Sequence, residues 1–142
     1  MKIMLSLKDT LINSAGFIDN DYLDKYCYLI ESNRHTKQQW GGKTNKHHIL
    51  PKSWFKLNNK EVDNSLSNLV NLPYRSHVLA HYYLCLCTCD ELQFANELAL
   101  ICLVTRKKLN VVDKQLVASL PMYNNIYESH MQKRRNNYKL YD

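Results

Sequence analysis

Apolar side chains recur every three to four residues through most of this chain, the spacing of one helix face. A short amphipathic piece in residues 1–18 predicts a helix around Leu5 to Ile12, ended by Gly16. Leu23, Tyr26, Cys27 and Ile30 share a stripe and predict a helix over residues 20–33, with Asn20 or Asp21 as its cap. Val78, Tyr82 and Cys85 predict another from Tyr74 to about Cys87. Asp90 is the expected cap of a helix from Glu91 to Lys108, with Phe94, Leu98, Ile101 and Cys102 as its core face. Arg106-Lys107-Lys108 fall where cations favour a helix C-terminus, and Leu109-Asn110 breaks the run. A last helix is expected over about 122–139, ending in the basic run Lys133-Arg134-Arg135.

The middle of the chain reads differently. Residues 34–43 are polar, cationic and contain Gly41-Gly42, which marks a loop. Residues 44–50 read as a short strand and Leu69 to Leu72 as its return partner, closed by Pro73. Between them, residues 51–67 have no sustained periodicity. The Trp54, Phe55 and Leu57 cluster would pack them down as a compact Ω-type loop. The expected order is α–α–β–(long loop)–β–α–α–α, an α+β fold, mostly helical, in which a strand pair feeds directly into a helix.

Composition narrows the class. At 142 residues the chain fits one domain. It divides into an N-terminal helical segment 1–43, a central unit 44–88 and a C-terminal helical extension 89–142. Three glycines and three prolines are too few for the turns of a sandwich or barrel. Five cysteines, an odd count without a CxxC pair, argue against a zinc knuckle or a dithiol redox motif and suit a reducing cytoplasm. No stretch reaches the roughly 18 apolar residues of a membrane span, and the first eight residues are too soon interrupted for a signal peptide. A net charge of +6 points to an anionic partner, most commonly nucleic acid.

The candidate chemistry lies in the central unit. Four of the six histidines fall there: His47 and His48 adjacent on the first strand, His77 and His81 four apart on the helix. Strand alternation turns His47 and His48 to opposite faces unless a bulge intervenes. An i, i+4 pair stacks on one helix face and makes a two-tooth metal clamp, which a strand histidine can complete. Phosphodiester hydrolysis needs a base for water, a Lewis acid for the phosphate and a neutralised leaving group. Imidazole is the usual base near neutral pH.

Three stretches, His47-His48-Ile49-Leu50-Pro51-Lys52-Ser53, Asn68-Leu69-Val70-Asn71-Leu72 and His77-Val78-Leu79-Ala80-His81, together resemble the HNH endonuclease family of phage and bacterial type. The resemblance covers about residues 44–84. It implies a ββα-metal unit, a short β-hairpin plus helix, flanked by N- and C-terminal helices. It further implies His48 as general base and His47 and His77 as metal ligands, with His81 a third ligand or phosphate contact. Asn68 would brace the loop and so orient the base, in preference to Asn71. One divalent ion is implied, Mg²⁺ or Mn²⁺ for activity, with Zn²⁺ or Ni²⁺ also able to bind three imidazoles. The family's frequent CxxC zinc pairs are absent from this sequence. His35 and His130 match nothing in the family and read as surface residues.

The implied substrate is double-stranded DNA. Lys46, Lys52 and Arg75 are the leading phosphate contacts, with Lys43 and Lys56 beside them and Lys133, Arg134, Arg135 and Lys139 further out. No motif specifies a target sequence or an oligomeric state. The rival readings are a non-catalytic, metal-stabilised nucleic-acid-binding module and a metal-binding regulatory protein. A purely structural site has no use for a second, metal-free histidine beside the first.

Overall fold

The computed structural model describes residues 5–34, 44–105 and 110–140, with side chains through Asn136. The expected loop over 35–43, with His35 and Lys43, and the basic Arg106-Lys107-Lys108 run lie outside the described residues, as does the side chain of Lys139. Among the described residues, seven α-helices and a two-stranded antiparallel sheet follow in the order α1 (Leu7–Ile12), α2 (Asp21–Arg34), β1 (Thr44–His48), α3 (Lys52–Leu57), β2 (Leu69–Pro73), α4 (Tyr74–Leu86), α5 (Asp90–Val104), α6 (Val111–Ser119) and α7 (Tyr123–Leu140). One turn of 3₁₀ helix, Leu66–Asn68, leads into β2. The fold is mostly helical α+β, as the sequence predicts.

Local chemistry sets the helix starts. Ser6 Oγ accepts from the Asp9 amide at 3.1 Å, and Ser6 Oγ–H donates to the Asp9 carboxylate at 2.8 Å. For α2 the cap is Asn20, whose Oδ1 accepts from the amides of Tyr22 and Leu23. Its Nδ2 donates to Leu86 O at 2.9 Å, fixing α2 against the end of α4. Gly16 sits at φ 93°, and a Cβ there would meet Leu92 Cδ2 at 3.0 Å. That left-handed turn brings Gly16 O to the amide of Cys89.

α4 is central. It packs against α2 on one side and α5 on the other. Leu23, Tyr26 and Ile30 of α2 form one core with Val70 and Leu72 of β2 and Ala80 and Leu84 of α4. Val78, Tyr82 and Cys85, the stripe expected from the sequence, form a second core with Leu100, Leu103 and Val104 of α5 and Ile126 of α7. Both faces of α4 are therefore held, and the side chains between them are fixed in place.

Four expectations change. Residues 51–67 are not an irregular loop throughout: Lys52–Leu57 form α3, which buries Trp54 and Phe55 against Leu92 of α5. α6, over Val111–Ser119, was not expected; Asn110 Oδ1 caps it by accepting from the Asp113 amide at 2.8 Å. On α5 the expected core face is half wrong. Leu98 is 40 % exposed and Cys102 is exposed, whereas Leu92, Asn96, Leu100, Leu103 and Val104 are buried. Asp90 does not cap α5 either; Cys89 holds the cap position without a side-chain bond, and Asp90 is its first residue.

Candidate metal centre and the cleft above it

β1 and β2 pair in unbroken register from Thr44 opposite Pro73 to His48 opposite Leu69, so no bulge interrupts the histidines. Alternation then applies directly. His47 is buried, at 2 % exposure, while Lys46 and His48 on either side are open to solvent in part or whole. β2 runs straight into α4, and the i, i+4 spacing sets His77 and His81 one turn apart. Their Nε2 atoms lie 3.1 Å from each other. The His47 ring centroid is 5.4 Å from that of His77 and 5.0 Å from that of His81. One nitrogen from each of the three lies within 4.8 Å of the others, a cluster that could hold a metal ion.

Electrostatics supports that reading of the cluster. Burial, then the neighbouring His81, His77 and His48, hold His47 well below the ordinary histidine pKa. Burial, then His77, lowers His81 to about 3. Both rings are neutral at pH 7, the form a metal ligand must take. Two zinc-bound imidazole nitrogens in a tetrahedral site sit about 3.3 Å apart, close to the 3.1 Å separation here. His81 Nδ1 is buried with no hydrogen-bond partner, so the Nε2 contact with His77 leaves the His81 ring half satisfied. Among the described residues the donors are three nitrogens without a carboxylate or thiolate, a set suited to borderline divalent ions.

A tyrosine orients the strand histidine. Tyr26 Oη lies 2.7 Å from His47 Nε2 and 2.7 Å from Ile49 O. The carbonyl can only accept, so the phenol proton goes to Ile49 O. Burial raises the Tyr26 pKa well above its ordinary value and keeps that proton in place. The hydroxyl must then accept from His47 Nε2–H, which leaves the His47 lone pair on Nδ1. The sequence placed Tyr26 only in a core stripe, and nothing local marks its hydroxyl as a partner of His47.

His48 stands apart from the triad. Its Nε2 is 2.8 Å from Asn64 Oδ1, and since that oxygen accepts, Nε2 carries the proton and Nδ1 the lone pair. Asn68 is buried and ties the loop down. Its Oδ1 accepts from the Leu50 amide at 2.8 Å, and its Nδ2 donates to Leu50 O and Asp63 O. Asn71 is exposed. The loop held by Asn68 thus presents Asn64, which holds His48. Asn64 was missed because it sits in a polar run sixteen residues from its partner.

The triad and His48 open into a cleft of about 620 Å³. Lys46, Lys52 and Lys56 line it, but Arg75 does not. Arg75 is 58 % exposed on α4 and faces Asp113 at 3.8 Å. Lys133 is also removed from the cation candidates, because its Nζ pairs with the Glu97 carboxylate at 3.1 Å. His130 is a correction too. It is fully buried, its Nδ1 3.3 Å from Glu97 Oε1 and its ring stacked on Phe94 at 4.4 Å, where it clamps α7 to α5. Buried Ile126 four residues earlier gave the helical spacing that could have found it.

The fold and site define a mostly helical α+β protein with a three-histidine centre beneath a cationic cleft. No protein-family model matches the chain, and no curated protein or solved structure matches it. No helix among the described residues is long and apolar enough to cross a membrane.

Proposed function

We propose that this chain is a metal-dependent nuclease of the HNH type, built on a ββα-metal unit, that hydrolyses phosphodiester bonds in DNA. The observation that carries the reading is the pairing of unlike histidines in one cleft. Three rings converge, His47 and His81 held neutral by burial, and a fourth, one residue along the strand, is held with its lone pair available.

A divalent ion held by His47, His77 and His81 would supply Lewis acidity to the phosphate and the leaving oxygen. His48 Nδ1 takes the proton from water as the water oxygen bonds to phosphorus. The bond from phosphorus to O3′ breaks, O3′ takes a proton from solvent, and the products are a 5′-phosphate and a 3′-hydroxyl. Asn64 keeps the His48 ring from rotating or switching tautomer. Lys46, Lys52 and Lys56 draw the phosphate backbone into the cleft. Mg²⁺ or Mn²⁺ is the working ion expected from the family resemblance, and the all-imidazole donor set favours Zn²⁺ or Ni²⁺ in affinity. A metal-stabilised binding module without catalysis would not need His48 held ready beside the cluster.

The test is conversion of supercoiled plasmid, and of genomic DNA from the source, to nicked or linear products with Mg²⁺, Mn²⁺ or Zn²⁺. Activity abolished by EDTA and by His48→Ala is expected. Intact substrate under every metal, with single-stranded DNA tested alongside the duplex, sinks the nuclease reading.

A further inference from the structure

We propose that the cleft accepts a single strand of nucleic acid, with phosphates on one wall and base faces on the other, rather than a duplex. This rests on the nuclease reading and specifies its substrate. The cleft has two unlike walls. One is cationic: Lys46 on β1, then Lys52 and Lys56 one turn apart on α3. No carboxylate lines the cleft among the described residues, and none of the three lysines has an ion-pair partner there. Their charge is therefore available to an anion.

The other wall belongs to α5 and is apolar apart from Asn96, which is buried and donates to Thr88 Oγ1. Leu98, 40 % exposed, stands between Ala95 and Ala99. An exposed leucine flanked by two alanines offers a flat apolar surface with room above it. α3 and α5 are packed together through Trp54, Phe55 and Leu92, so the two walls are fixed relative to each other.

The chemistry of the occupant follows from this asymmetry. A duplex exposes phosphates along both rims of each groove and keeps its base faces stacked inside. It has no base face to lay against Leu98. A single strand carries a charged edge and bare base faces on the same few atoms, which is the pattern the two walls match. The size agrees, because about 620 Å³ lies in the range of a pocket for a drug-sized ligand. That suits a nucleotide or two and is far smaller than a duplex segment. The reactive groups sit on the floor of this cleft, with His47 buried, so the scissile phosphate must enter it.

The test uses the full chain carrying His48→Ala, loaded with Zn²⁺, and fluorescein-labelled 12-mers in anisotropy titrations. The strands are single-stranded DNA, single-stranded RNA, a DNA duplex of the same sequence and a single strand of abasic sites. Single strands are expected to bind at least tenfold tighter than the duplex and than the abasic strand, and the DNA and RNA arms identify the natural sugar. Adding Leu98→Ala should weaken single-strand binding severalfold and leave duplex binding unchanged. Lys52→Glu with Lys56→Glu should weaken both and flatten the salt dependence. Duplex binding as tight as single-strand binding, or indifference to Leu98→Ala and to abasic sites, overturns the proposal. In the unmutated protein, equal cleavage of duplex and single strand overturns it while the nuclease reading stands. Tight single-strand binding without cleavage of any substrate sinks the nuclease reading instead, and absence of binding to every strand sinks both.

Discussion

Replacing Tyr26 by Phe removes one oxygen atom and leaves the ring in its place in the α2 core. Two buried groups then lose their partner at once, the Ile49 carbonyl and the His47 Nε2–H. Each unsatisfied buried group costs about 1–3 kcal/mol, so the metal-free protein should lose about 2–6 kcal/mol for the two. For a chain of this size that lowers the melting temperature by roughly 6–18 °C. A second effect is separate. Without the hydroxyl, His47 is no longer confined to the tautomer that keeps its lone pair on Nδ1. Loss of such an orienting partner lowers metal affinity by about 10–100-fold. Urea unfolding in EDTA measures the first quantity, and calorimetric titration with Zn²⁺ measures the second. Tyr82→Phe is the control. Its hydroxyl accepts from the Met122 amide at 3.2 Å, remote from the triad, so it should cost stability without changing metal affinity. If Tyr26→Phe binds Zn²⁺ within twofold of the unmutated protein, the phenol does not set the His47 tautomer, and the reasoning about that hydrogen bond is wrong.

Zn²⁺ at a hundredfold above its dissociation constant should stabilise the folded protein by about 2.7 kcal/mol; His77→Ala should abolish that shift in a thermal melt, and His48→Ala should keep it. Equal loss in both variants would overturn the division between ligand and base. Acid should destabilise the metal-free protein, because unfolded histidine titrates near 6.5 while folded His81 titrates near 3 and folded His47 is also depressed. Between those values the unfolded chain binds more protons, so stability present above pH 6.5 falls as the pH drops toward 3. The expected loss from pH 7.5 to 5.5 is about 1.4 kcal/mol for each histidine, and urea midpoints unchanged across that interval in EDTA would contradict it. Asn64→Ala should lower kcat about five- to tenfold with KM unchanged, the worth of one hydrogen bond to the base. A pure KM effect in steady-state kinetics would place Asn64 in substrate binding instead.

Information carried by neighbours along the chain was readable before the fold. The His77 and His81 pair follows from helix geometry, and the split between His47 and His48 follows from strand alternation. Neither depends on what packs where. Information carried by distant partners was not readable. Apolar identity at Leu98 and Cys102 suggested burial, but α4 and α7 select the buried face of α5 and leave both residues open. Glu97 is buried, against the usual expectation for a carboxylate, because Lys133 and His130 meet it from α7. α3 has no side-chain cap and only six residues, so its helicity depends on Trp54 and Phe55 finding Leu92. α6 contributes no buried residue, yet Val112, Leu116 and Leu120 recur four apart, so its helix was legible in the sequence.

The triad is a poor device for holding a protein together, and that bears on what it is for. Three imidazoles in contact disfavour protonation of one another, and burial disfavours it further. His81 Nδ1 is left without a partner, a cost that an apolar side chain of similar volume would not incur. The same protein shows how it uses a buried histidine structurally. His130 lies against a carboxylate and under Phe94, bridging two helices far from the lysines of the cleft. At the triad the surroundings are instead arranged around the lone pairs, with Tyr26 fixing one ring and a cleft opening above that no carboxylate lines among the described residues. Local violations of packing and hydrogen-bond economy gather at functional sites. A single divalent ion taking all three lone pairs would relieve the repulsion among the rings, so the stability withheld from the metal-free fold would reappear as metal affinity.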